Sequence, residues 1–555
     1  MKRLFIFAFL LIGALQFSIL DFQFSIGQAK ACTNLIVGKK ASKDGSVIIS
    51  YSSDDYGAYG YMNFLPGGKH KKGEMRALYH YESNNYLGEI PEAEETYTVV
   101  GLMNEHQLSI HETTFGGREE LCDTVSGLFD YGSLMYVTLQ RAKTARQAIA
   151  VMGKLVEEYG YGSEGESFSI ADPNEAWIME MIGKGPGRKG AVWVAVRVPD
   201  DCICAHANQS RIRKFPLKDK ENCIFSKDVI SFAREKGFFN GKDADFSFSE
   251  AYSPTDFGAQ RFCEARVWSF FNKWAAEDMT PYLSYAMGET SDNPMPLYVK
   301  PKAPLSVQDV KDMMRDHYEG TPLAIQNDLG MGPWEMPYRP TPLTYEVDGK
   351  KYFNERPIST QQSSNVYVSQ MRSWLPDYIG GVVWWGNDDA NMVPLTPVYC
   401  CVESVPECYA HGVADPFHFS TRSAYWVQNW VSNMTYLRYV TIFPEVKAVR
   451  DRLEADYNSL QAETEQKAAT MSQAEACKFL TAYSHRTAQA MMDEWNQLAQ
   501  TIIVKYNDMA VKKTDGNGQY LKTPGGNQRP VNRPGYPETY RRKIIQETGT
   551  KYLVK

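Results

Sequence analysis

Residues 32–55 read CTNLIVGKKASKDGSVIISYSSDD, two β-type runs, Thr33 to Gly38 and Ser46 to Tyr51, on either side of a turn-rich stretch ending in Asp44-Gly45. Runs of this kind pair with each other, so the segment is expected to form an antiparallel hairpin. A turn centred near Lys43-Asp44 sets Cys32 opposite Asp55 and Thr33 opposite Asp54; centring on Asp44-Gly45 moves the pairing by two residues. In either register a carboxylate pair returns to the start of the first strand.

What precedes the hairpin decides how that strand begins. Residues 1–31 open with Lys2 and Arg3, run through an apolar stretch from Leu4 to about Leu20, and end in Ala29-Lys30-Ala31. This is the pattern of a secretory signal peptide with an A-x-A cleavage site, and cutting after Ala31 leaves Cys32 as the first residue. Gln16, Ser18 and the polar region Gln23 to Gln28 argue against a retained membrane anchor. Ala29 and Lys30 argue against lipid modification of Cys32, whose sites want a large apolar residue and a small uncharged one at those positions. No second apolar run reaches the roughly 18 residues that span a bilayer. The expected product is exported, secreted or periplasmic, with no membrane partner after processing.

A chain of 555 residues, 43% hydrophobic and 23% charged, can bury a large core. Its formal net charge of -7 offers no field for a phosphate backbone, which excludes nucleic acid as a partner. The ten cysteines are too few for a disulfide framework. Cys400, Cys401 and Cys408 are the first candidates for a bridge. Cys202-x-Cys204 has no second pair at zinc spacing and no HExxH occurs, so neither a metal nor another cofactor is expected.

Along the chain, Thr96 to Glu112 reads as strand-turn-strand with Asn104 in the turn. Helices follow, one starting at Ser133 and one running to Tyr159 behind a Thr144/Gln147 capping box. Strands return at Ser167 to Ala171, Ala176 to Met181, Ala191 to Val198 and Cys202 to Ala205, ending in HANQSRI. From about Thr421 the pattern turns helical, with Val446, Val449, Leu453, Tyr457 and Leu460 at helical spacing and a Ser472/Glu475 capping box. These patterns predict an α+β catalytic domain over 32–420 and a mainly helical extension over 421–555. The basic, Gly- and Pro-rich tail from Lys512 is expected along the surface.

A cysteine made N-terminal by processing carries its own base. The α-amine, with an ordinary pKa of about 7.7 to 8.0, is partly free near neutrality and can accept the thiol proton. Acyl transfer through a thioester then needs donors for the oxyanion and a group that orients the amine. Asp54 is placed to hold the protonated amine, and Asn104 and Asn208 are uncharged donors in turns after strands.

The runs ACTNLIVGKKASKDGSVIISYSSDD, GLMNEHQLSIHETTFGGR, DYGSLMYVTLQRAKTARQAI, SFSIADPNEAWIMEMIG, HANQSRI and RVW at Arg266 to Trp268 resemble the dipeptidase A type of N-terminal-nucleophile (Ntn) cysteine hydrolases, from about Cys32 to His411. The resemblance implies an αββα four-layer sandwich, a processed Cys nucleophile, and metal-free hydrolysis of dipeptides with broad side-chain tolerance. Bile-salt hydrolase and penicillin acylase relatives use an Arg and an Asp at the end of the second strand, an Asn in an N-E-x-G turn, a later Asn and a later Arg. By position these imply Asp54, Asn104, Asn208 and Arg266. The Arg three before the Asp is replaced here by Tyr51, and the small residue after Asn-Glu by His106-Gln107.

The expected activity is therefore an exported cysteine dipeptidase acting on dipeptides or short peptides. Cys32 attacks, Asn104 and Asn208 polarise the oxyanion, and Asp54 and Arg266 hold the amine and substrate. The alternatives are an amidase for N-acyl bonds on the same fold, and a non-catalytic exported protein binding peptides or glycans through some of its 34 Tyr, 26 Phe and 11 Trp. Trp384-Trp385, in the strand-like GVVWWG, is expected to be buried instead. Oligomeric state is left open, a homo-oligomer included.

Overall fold

A computed structural model describes residues 31–554 apart from 124, 126 and 527–529. The expected leader lies almost wholly in 1–30, outside the described residues. The strands that build the two large sheets are β1 (Ala31–Val37), β2 (Val47–Asp54), β3 (Phe64–Leu65), β4 (Val99–Val100), β5 (Met103–Asn104), β6 (Ser109–Gly116), β7 (Gly165–Ala171), β8 (Ala176–Gly183), β9 (Ala191–Val198), β10 (Ile203–His206), β11 (Cys223–Phe225), β12 (Tyr298–Val299), β13 (Ser363–Met371), β14 (Val382–Asn387) and β15 (Thr396–Tyr399). One sheet has the order β12-β10-β1-β2-β13-β14-β15, the other β11-β9-β8-β7-β6-β5-β4-β3. Neighbouring strands within each are antiparallel. The strands at the centre of each sheet are buried along nearly their whole length, and Ala176–Gly183 buries every residue, Glu180 included.

The sheets meet through β1 and β2 on one side and β6 and β7 on the other. Polar side chains bridge them: Asn34 to Ser169 (3.2 Å), Ser109 to Ser369 (3.0 Å) and Thr113 to His206 (2.7 Å). Helices α1 (Tyr131–Leu139) and α2 (Ala145–Tyr159) pack on the second sheet. α2 starts as its sequence indicated, with Thr144 accepting from Gln147 N; the return arm of the box reaches Lys143 N instead of Thr144 N. Helix α3 (Ala265–Trp274) packs beside β10, and α4 (Val307–Met313) lies on β13. The chain is thus α+β, as its pattern implied.

α5 (Ala424–Tyr436), α6 (Tyr439–Ala469) and α7 (Gln473–Tyr506) pack together and onto β14 and β15. Buried ion pairs join them to the rest of the fold: Arg315, just after α4, with Glu454 at 2.6 Å, and Arg372, just after β13, with Glu465 at 2.7 Å. One apolar core runs continuously from β1 into α7. The change of pattern near residue 421 therefore marks a change of secondary structure within one core, because the helices cover apolar strands that would otherwise face water. Leu460 departs from the expected apolar stripe of α6 and is exposed. The tail from Lys513 is largely exposed, and its helix, Glu538–Thr548, buries no residue.

The hairpin forms with a different register from either expectation. Cys32 pairs with Ser53, Ala31 with Asp54 and Val37 with Ile48, a centre at Ser42-Lys43. The connection is not a tight turn: Ser42 N donates to Gly38 O, Lys40 N to Asp200 O and Lys43 N to Leu305 O, which anchors a wide loop to its surroundings. Asp44-Gly45 closes that loop rather than centring it. Asp44 Oδ1 accepts from Ser46 N, and Gly45 takes a φ of +85°, which favours glycine. All ten cysteines are free thiols; Cys401 hydrogen-bonds Cys477 on α7 rather than Cys400 or Cys408. Trp384 and Trp385 are buried as expected.

Candidate active site

Four of the five predicted residues converge at the start of β1. Cys32 is buried, and its backbone N–H donates to Asn208 Oδ1 at 2.8 Å. Arg266 Nη1 donates to the Cys32 carbonyl (2.7 Å) and to Thr33 Oγ1 (2.9 Å), while its Nη2 reaches Ala207 O (2.9 Å) and Asn208 Oδ1 (3.1 Å). Its Nε donates to Phe262 O at 2.8 Å, within the wide helical turn Ala259–Glu264 that leads into α3. All three nitrogens of Arg266 are thus bound to protein. It clamps the Cys32 backbone and is not free to hold substrate, which corrects half of its expected role.

Asn208 follows β10 in the left-handed region at φ 63°, a conformation asparagine tolerates better than most residues. Its Nδ2 donates to Thr114 O at 2.8 Å. The amide therefore presents its oxygen to the Cys32 nitrogen and gives an N–H to the second sheet, so it holds that nitrogen, a role its turn position alone did not suggest. The rest of HANQSRI holds this loop. Arg211, buried rather than on the surface, pairs with Glu264 at 3.0 Å, and Glu180 accepts from Arg211 N and Ile212 N.

Asp54 lies beside the backbone of Ala31, as its pairing requires. Its carboxylate accepts from Ser52 Oγ (2.9 Å), Ser363 Oγ (2.5 Å) and Arg356 Nη2. Arg356 also reaches Ala31 O at 3.4 Å.

Asn104 is elsewhere, and the expected oxyanion role does not survive. It is fully buried; its Nδ2 donates to Leu139 O and Ala142 O, both at 2.7 Å, and its Oδ1 accepts from His106 N (3.0 Å) and Leu108 N (3.1 Å). Every bonding position of the amide is used to tie its turn to the end of α1. Asn104→Ala is expected to lower stability by about 2–4 kcal/mol through four buried groups left unpaired, with kcat within a few-fold of the parent. Urea denaturation and turnover check this together; a loss of kcat at full stability would return Asn104 to the chemistry.

The surroundings of the thiol come from residues not assigned from the sequence. Cys32 Sγ lies 3.7 Å from both Tyr51 Oη and Glu112 Oε1, and Tyr51 donates to Glu112 at 2.5 Å. Glu166, on β7, accepts from Thr114 Oγ1 at 3.0 Å and couples to Glu112. Burial first, then the charges of Glu112 and Asp54, push the Cys32 thiol well above its ordinary value. Burial also raises Glu112, and burial followed by the charge of Glu112 raises Glu166 well above the carboxylate range. Glu112 Oε2 and Glu166 Oε1 are buried without a donor. A shared proton, or a bound ammonium group, is the species that satisfies both.

No imidazole serves as base here. His206, paired with Asn34 across β10 and β1, hydrogen-bonds Thr113 and Ser169, and burial lowers its pKa to about 3. His111, bound to Ser109 and Ser369, is likewise lowered by burial to about 3. Both stay neutral near pH 7, and the thiol proton has no side-chain base of ordinary strength to go to.

Similarities to known proteins bear on this arrangement. A probable dipeptidase of Salmonella dublin is 29% identical over 398 residues, covering 67% of this chain and 82% of that protein. A probable dipeptidase of Latilactobacillus sakei is 25% identical over 478 residues, covering 83% and 92%. A probable dipeptidase A of Streptococcus pyogenes serotype M3 is 26% identical over 439 residues, covering 74% and 84%. The model of peptidase family C69 matches residues 31–65 and 59–452, from the strand that carries Cys32 into α6. With the strands of both large sheets and the cysteine site inside that match, the chain belongs to the dipeptidase A type of peptidase family C69.

Proposed function

We propose that this peptidase is an exported cysteine dipeptidase with an Ntn-type αββα sandwich, activated when removal of residues 1–31 exposes Cys32. The observation that carries the substrate class is Glu112, buried beside Sγ and hydrogen-bonded to Glu166, with no cationic partner to either carboxyl among the described residues. A free dipeptide brings an α-ammonium group to its first residue, which pairs with such carboxyls. An N-acyl substrate brings an apolar chain there, which offers the carboxyls no charge and no donor. The names of the relatives, probable dipeptidases, point the same way.

In the processed chain the Cys32 nitrogen is a primary amine, held by Asn208 Oδ1. It takes the thiol proton; Sγ attacks the peptide carbonyl, and the tetrahedral adduct collapses as the C–N bond breaks and the leaving amine receives that proton. Water, deprotonated by the same amine, then attacks the thioester, releasing the first amino acid and restoring the thiol. Tyr51, 3.7 Å from Sγ, gives its one proton to Glu112 and so fixes that carboxyl beside the reacting atoms.

Hydrolysis of a free dipeptide and of its N-acetylated form separates the readings. Free dipeptides are expected to be cleaved with kcat/KM at least about 100-fold higher. Faster cleavage of the acetylated form would favour an N-acyl amidase, and binding without turnover of either a non-catalytic protein.

A further inference from the structure

Where β1 begins, beside Ala31, Arg356 is almost wholly buried, 2% exposed, in a segment that precedes β13. Its Nη2 is bound to Asp54 and to Ala31 O, but Nε and Nη1 have no acceptor among the described residues. The guanidinium lies 5.5 Å from the centre of the Phe262 ring, and that of Arg266 lies 5.1 Å from the same ring. Burial, then the charge of Arg356, lowers Arg266 to about 10. Two buried guanidiniums thus flank one phenyl ring, and Asp54 is the one carboxylate that either contacts among the described residues. Arg266 has a protein acceptor for each nitrogen; the unused donors belong to Arg356.

A buried cation in excess of its counter-charges is costly unless an anion joins it. Loss of Ala31 on processing would widen the deficit, because the carbonyl that Nη2 now holds leaves with the leader. The Ala31 carbonyl carbon is bonded to the Cys32 nitrogen, so the volume it vacates adjoins that nitrogen. We propose that Arg356 binds the C-terminal carboxylate of the substrate. Resting on the dipeptidase reading above, this makes the enzyme select peptides with a free C-terminus, with Glu112 and Glu166 taking the ammonium end and Arg356 the carboxylate end. An extended dipeptide spans roughly 7 Å, so charged groups at both ends of such a site set substrate length as well as orientation. Arginine suits this task because its planar donors match a carboxylate.

The test compares L-alanyl-L-alanine with L-alanyl-L-alaninamide, on protein whose N-terminus at Cys32 is verified by mass. The wild type is expected to prefer the free acid by about 100-fold in kcat/KM. In Arg356→Gln that preference should fall toward unity, mainly through KM, and Arg356→Lys should restore part of it. A wild type indifferent to amidation, or an unchanged preference in Arg356→Gln, overturns the proposal and leaves Arg356 as the structural partner of Asp54. Failure of the dipeptidase reading looks different: neither peptide is turned over. Calorimetry on Cys32→Ala protein then decides, since tighter binding of the free acid that is lost on adding Arg356→Gln supports the site, and equal binding of acid and amide overturns it.

Discussion

Replacing Cys32 with alanine is expected to abolish hydrolysis, by about four orders of magnitude or more in kcat, while the protein stays folded. What holds the start of β1 is its backbone: Arg266 on the carbonyl, Asn208 on the nitrogen, and the pairing with Ser53. The side chain itself meets Tyr51 and Glu112 at 3.7 Å, contacts whose loss costs about 1 kcal/mol. Far-UV circular dichroism and a urea midpoint near the parent's, together with lost turnover, make up the expected result. Chain retaining residue 31 should be as inactive as the alanine variant. In that form the Cys32 nitrogen is an amide that donates to Asn208, and burial with two nearby carboxylates keeps the thiol protonated. Intact mass, N-terminal sequencing and turnover on the same preparation check both statements. Activity in Cys32→Ala, or in protein with a blocked residue 32, would rule out the amine-assisted thioester route.

Glu112→Gln is expected to lower kcat/KM for free dipeptides by about 10²- to 10³-fold, with much less effect on N-acetylated ones. Glutamine keeps an oxygen for Tyr51 but removes the charge that receives an ammonium. The wild-type pH profile follows from the same pair. Both carboxyls titrate above the ordinary value of about 4.3. Below that titration they are protonated and offer the substrate no charge, so KM for free dipeptides should fall as pH rises through it. In Glu112→Gln the step should move to lower pH, because Glu166 loses the neighbouring charge that raises it second only to burial. For stability the sign is opposite. A carboxyl whose folded pKa lies above its unfolded one is favoured protonated, so its contribution is full at low pH and declines as pH rises through that range. Steady-state kinetics from pH 4 to pH 8 and urea melts over the same interval measure both trends. An unchanged free-to-acetylated ratio in Glu112→Gln would remove the ammonium site from this residue.

The residues that group around Cys32 differ in how they could be found. Asp54, Asn208 and Arg266 were recoverable because each lies in a recognisable run at the end of a strand or start of a helix, although the role expected of Arg266 narrowed and Asn208 gained one. Their donors and acceptors are finite, and which partners take them depends on neighbours that a run of sequence does not name: Asn208 gives an N–H to Thr114 O, and Arg266 has an acceptor for each nitrogen. Asn104 was misplaced for the same reason, since an Asn-Glu turn looks alike whether its amide faces a substrate or the end of α1. Glu112 sits inside the run SIHETTFGGR, yet nothing in that run distinguishes it from a solvated strand residue. Arg356 carried no local signal at all.

Local and near-local interactions were determined by the sequence alone: the hairpin that begins with Cys32, the caps of α2 and α7, the strands from Gly165 to Val198, and the helical stretch after residue 421. Each depends on side-chain period, turn residues or caps within a few positions, energies that act at short range along the chain. The tertiary structure decided the register of the hairpin, through anchors at Asp200 and Leu305. It also joined the late helices to the same core, and it set a carboxyl pair at the Cys32 side chain and an Arg–Asp pair at the backbone just before it. Those groups, Glu112 with Glu166 and Arg356 with Asp54, are assembled from segments up to 302 positions apart. Burial then decides their chemistry, because a charge withdrawn from water is governed by the partners that folding brings within a few ångströms.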